Sequence, residues 1–112
     1  MLNIQSRQEG TSSVVSIHGK VNFEVTAQLR EVIRETVATA QPRLLVINLE
    51  GVSFIDSSGL GLLVAARNSV DKSGGRLHLC CLPAPVKKTF DQTNLSNYFS
   101  IFSTEQDALR GA

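Results

Sequence analysis

The segment "RLLVINL", Arg43 to Leu49, constrains the fold more than any other part of the chain, because it is apolar at consecutive positions. Side chains alternate between the two faces of a strand, so a strand apolar on both faces must be covered on both. This is the pattern of a central strand in a parallel sheet, and parallel pairing needs crossover connections, usually helices. "RLHLCCL", Arg76 to Leu82, shows little alternation and reads as a second internal strand, closed by Pro83 and Pro85.

The neighbouring segments supply the helices. From Thr26, a fitting N-cap, Leu29, Val32, Ile33 and Val37 recur at helical spacing with Arg30, Glu31, Arg34 and Glu35 between them, and Pro42 marks the end. A second helix follows "VSFIDSSGLGLLV" and runs to about Lys72, stopped by Ser73-Gly74-Gly75. A third starts near Pro85 and runs through Phe90; a closing helix has Thr104 as N-cap. Residues 2–8 and 13–18 read as an antiparallel hairpin around Glu9-Gly10-Thr11-Ser12, and "YFSIF" as an edge strand. The order β-β-α-β-α-β-α-β-α predicts an α/β fold, a small, mixed and mostly parallel sheet of about four to five strands with helices packed on it. The 112 residues suit one domain over 1–112, and an apolar fraction of 42% suffices for its core.

Several function classes are disfavoured. Eleven Lys and Arg against ten Asp and Glu leave a net charge of +1, with no basic cluster, so no direct nucleic-acid partner is expected. The first twenty residues lack the apolar centre of a signal peptide. The run Leu60 to Ala66 is far shorter than the ~20 residues a bilayer needs, so no membrane partner is expected either. Cys80 and Cys81 are adjacent, and strand neighbours point to opposite faces; free thiols in a reducing cytoplasm fit better than a disulfide. The chain has no G-x-S-x-G elbow around Ser57 or Ser58, and Val64 stands where a dinucleotide fingerprint has its last glycine. Nor is there a G-K-[ST] or any metal-ligand spacing, so neither cofactor nor metal is expected.

The informative stretch is "VSFIDSSGLGLLV", Val52 to Val64. It lies where ligands and partners meet such folds, at the carboxyl end of a parallel strand and the start of the next helix. Asp56 or Ser57 caps that helix. Gly59 and Gly61 each cost ~1 kcal/mol relative to alanine in a helix, and they leave the backbone near the serines open to close approach. Leu60, Leu62, Leu63 and Val64 span most of the helix circumference, more than one sheet-facing stripe can bury. Either other helices cover this end or some leucines stay exposed as a docking surface. A hydroxyl here can carry a phosphate without unfolding the helix, because the dipole and free N–H groups favour an anion.

With these residues in view, "LVINLEGVSFIDSSGLGLLV" and "GGRLHLCCLPAPVKKTFDQTNL" resemble the STAS-domain anti-sigma factor antagonists, and the similarity runs from the hairpin through "HGKVNFEVTAQLRE" to the closing helix. The resemblance implies a cytoplasmic partner switch. The unphosphorylated protein would bind an anti-sigma factor serine kinase that otherwise sequesters a sigma factor. The kinase would phosphorylate it and let it go, and a serine phosphatase would reset the cycle. The modified residue in the family directly follows the aspartate, here Ser57, with Ser58 as second candidate. Asp56, Ser58, Gly59, Leu60 and Gly61 would meet the partner. The chain would be substrate and competitor, not enzyme. Where the family commonly has G-x-[LV]-D, this chain has Gly19-Lys20-Val21-Asn22; Asn22 lacks the acidic charge, and Glu24 stands nearby as its substitute. Two other readings are a STAS subunit of a transporter or lipid-trafficking complex, and a weak nucleotide-binding domain.

Overall fold

The computed structural model describes residues 2–111. Its elements are β1 (Asn3–Glu9), β2 (Ser12–Val21), α1 (Thr26–Ala40), β3 (Leu44–Ile55), α2 (Ser57–Lys72), β4 (Arg76–Cys80), α3 (Ala84–Gln92), β5 (Ser100–Phe102) and α4 (Glu105–Arg110). The five strands lie in the order β1-β2-β3-β4-β5. Only the β1–β2 hairpin is antiparallel; the other pairs are parallel and joined through helices. The expected element order and mixed sheet are both present.

β3 is the central strand that its sequence implies. Leu45, Ile47, Leu49, Val52 and Ile55 enter the main core with residues of α1, α2 and α3. Val46 belongs to a second, smaller core with Val14, Cys80 and Ala108 of α4. Phe90 of α3 is fully buried, and its ring meets Phe99 edge-on at 5.7 Å.

Three boundaries differ from expectation. β2 and β3 run on together to Val21 and Ile55, absorbing register irregularities between Ser16 and His18 and between Gly19 and Lys20. Continued backbone pairing carries both strands past their most apolar stretches. β4 stops at Cys80 rather than Leu82, because Cys81 turns into the left-handed region at φ 63°. Thr26 is not the N-cap of α1. Val25 holds that position, while the Thr26 hydroxyl donates to the Phe23 carbonyl at 3.0 Å. Asn22 Oδ1 accepts the Glu24 N–H at 3.0 Å, so a side-chain turn that starts three residues before the Val25 cap sets the entry to the helix. No helix among the described residues is long and apolar enough to cross a membrane.

Candidate functional site

The carboxyl ends of β2 and β3 converge on the start of α2, with Asp56 at their junction. Its N–H donates to the Val21 carbonyl at the end of β2, 3.1 Å away. Its backbone is extended, and its Oδ1 accepts the Gly59 N–H at 3.0 Å, so Asp56 rather than Ser57 caps the helix. The same oxygen accepts the Ser58 hydroxyl at 2.5 Å. That hydroxyl, helped by the N–H groups of Gly59, Ser58 and Phe23, holds the Asp56 carboxyl below its ordinary value against the opposing effect of desolvation. Asp56 is therefore a fixed negative charge at neutral pH.

The two serines are not equivalent. Ser57 is the first residue of α2 and is exposed, with no side-chain hydrogen bond among the described residues. Ser58 is half-buried and its hydroxyl is committed to Asp56. The glycines differ as well. Gly59 is buried, and a Cβ there would stand 2.8 Å from both Ile55 Cγ1 and Val21 Cγ1. Its bare Cα lets the first turn of α2 sit on the strand ends, so it does not open the backbone to a partner. Gly61 is exposed, and a Cβ there would meet nothing within 4 Å.

The leucines do not form a docking surface beside the serines. Leu60, Leu62 and Leu63 retain 4%, 5% and 1% exposure and belong to the main core. α1 packs against α2 from one side and the sheet from the other, which is how a helix apolar around most of its circumference becomes buried. Leu60, expected in the partner interface, keeps its side chain inside. The exposed apolar groups at this end are two phenylalanines that sequence reasoning missed, Phe23 at 73% and Phe54 at 48%. Phe23 sits between Asn22 and Glu24 in the β2–α1 loop, and its backbone N–H helps stabilise the Asp56 carboxylate. Phe54 lies two residues before Asp56, opposite Lys20 of β2. A lone aromatic in a short polar loop is the signal that could have found Phe23. Asn22 is half-buried in its turn, and Glu24 is exposed.

The histidines are engaged elsewhere. His78 is buried, with Nδ1 2.9 Å from the Ala108 carbonyl, and the His18 ring lies over Gly51. Neither makes a hydrogen bond to Ser57 or Ser58, and no group of three or more His, Cys, Asp or Glu among the described residues could hold a metal.

Residues 3–108 match the STAS domain. The chain belongs to the STAS family. Among relatives of this STAS domain is an anti-sigma F factor antagonist of Paenibacillus polymyxa, 26% identical over 110 residues, covering 96% of this chain and 94% of the relative. Another is the Mycobacterium tuberculosis anti-sigma-F factor antagonist RsfB, 33% identical over 99 residues and covering 88% and 80%. The crystal structure of an anti-sigma factor antagonist from Mycobacterium paratuberculosis superposes with a TM-score of 0.90 at 27% identity, covering 99% of this chain and 93% of that one. This STAS domain is thus a member of the anti-sigma factor antagonist family.

Proposed function

We propose that this STAS domain is the switched component of a partner-switching pathway. Unphosphorylated, it binds an anti-sigma factor serine kinase and frees the effector that the kinase holds. Phosphorylation at Ser57 ends that binding, and a serine phosphatase restores it. The chain acts in the cytoplasm as substrate and competitor rather than as an enzyme.

The observation that carries this reading is the difference between the serines: Ser57 is exposed and uncommitted, whereas Ser58 is tied to Asp56. A phosphate on Ser57 would sit at the positive end of a sixteen-residue helix, where an anion is stabilised by ~0.3–1 kcal/mol. It would also place ~1.5–2 negative charges beside the ionised Asp56, on a surface that carries the exposed Phe23. A misplaced charge costing ~3 kcal/mol in an interface weakens binding about a hundredfold.

Calorimetry with the anti-sigma kinase of the same organism tests this. Ser57→Ala is expected to bind like the parent and to stay bound when ATP is added, and Ser57→Asp to bind about a hundredfold more weakly. If both variants bind and release as the parent does, the reading is wrong.

A further inference from the structure

The outer seam between α1 and α2 carries a feature unconnected with Ser57. Packed helices usually interlock side chains along such a seam. Here α2 offers Ala65, Ala66 and Ser69, α1 offers Ala38, and the seam opens into a groove of about 380 Å³. Ile33, Val37, Leu62 and Ala66 supply its apolar surface. Ile33, Leu62 and Ala66 keep 5%, 5% and 7% exposure, whereas Leu29, Leu63 and Val70 on the same helices keep 1%. Ile33, Leu62 and Ala66 thus line the groove as buried residues, and the half-buried Val37 with the exposed Ala38 and Ala65 supplies its accessible walls.

Charge around the groove is one-sided. Arg30, Glu31, Arg34 and Glu35 neighbour one another on α1, yet only the two arginines line the groove. Arg34 shares its charge with Glu31 at 2.5 Å on the open surface. Arg30 makes no ion pair among the described residues. An apolar trough with a free guanidinium at its rim complements an amphiphile with an anionic head, the stem packing on carbon and the head meeting the cation. From Arg30 to Ala38 the helix advances roughly 12 Å at ~1.5 Å per residue, about the length of an extended ten-carbon chain.

We propose that this groove binds a medium-chain fatty acid, its carboxylate at Arg30 and its tail along Ile33, Val37, Leu62 and Ala66. Titration of the ¹⁵N-labelled full chain with decanoate, kept below its aggregation concentration, tests this, with decanol as the neutral control. Saturable shifts are expected at the amides of those four apolar residues, with decanol binding more weakly. Arg30→Glu should weaken decanoate at least tenfold. Ala65→Phe, at an exposed position, should fill the groove and abolish the saturable shifts while the melting temperature stays near that of the parent. The proposal is overturned if no shift saturates, or if Arg30→Glu leaves the affinity unchanged. It is also overturned if the groove amides shift on simple dilution, since a second copy of the chain would then be the occupant. Should Ala65→Phe fail to fold, Arg30→Glu decides alone.

Discussion

Helix starts leave several backbone N–H groups without partners, and a carboxylate placed just before the first turn can satisfy one of them. Asp56 does this for Gly59 and also takes the Ser58 hydroxyl. Asp56→Ala should lower unfolding stability by about 1 kcal/mol in urea titrations at pH 7. The gap should depend on pH. Because the folded carboxyl sits below its unfolded value, its contribution is complete above the ordinary carboxylate range and is lost as pH falls through the lowered folded value. Parent and Asp56→Ala should therefore converge on acidification. Ser58→Ala should move the Asp56 carboxyl back up, which an NMR titration reads directly. The neighbouring glycines make an opposed pair. Gly59→Ala drives a methyl into Ile55 and Val21 and should cost about 1–3 kcal/mol. Gly61→Ala enters open space in a helix and should stabilise by up to about 1 kcal/mol. Equal effects from both would contradict the packing at Gly59.

At the scale of elements, α3 closes the sheet through few side chains, and Phe90 is the largest of them that is fully buried. Phe90→Ala should cost about 3–5 kcal/mol, read as a lower urea midpoint. A change under about 1 kcal/mol would mean that α3 contributes little to the cooperative unit. β3 was legible in the sequence because burial on both faces writes itself as an unbroken apolar run. The cap ahead of α2 was legible to within one residue, Asp56 or Ser57, since its chemistry is complete within three residues. The start of α1 was not, because Thr26 looks like a cap while the Asn22 turn, a few residues earlier, directs the chain. The fate of Leu60, Leu62 and Leu63 was not legible either. Whether they face solvent or a neighbour depends on where α1 lands against α2, which no local pattern records. The exposure of Phe23 and Phe54 has the same origin, since it reflects what does not pack on them.

For the molecule as a whole, the position of Ser57 would separate the proposed binding from stability. A negative charge on the first residue of α2 is favoured by the helix and touches no core position. Ser57→Asp should therefore melt within about 5 °C of the parent in calorimetry. Its amide shifts should be confined to the first turns of α2 and the β2–α1 loop. A broad change of spectrum would mean that charge at this point alters the fold rather than its surface.

The Asp56 junction joins the end of β2, the end of β3 and the start of α2 through one N–H and one carboxylate. The end of β2 lies far from the other two along the chain, separated from them by the whole of α1 and β3. An unfolded copy has the serine but no helix start, no strand end and no loop beside it. Under the proposed function, a partner that recognises this corner counts only finished molecules. The signal proposed for the domain would then be set by its folded concentration, not by how much of it has been synthesised.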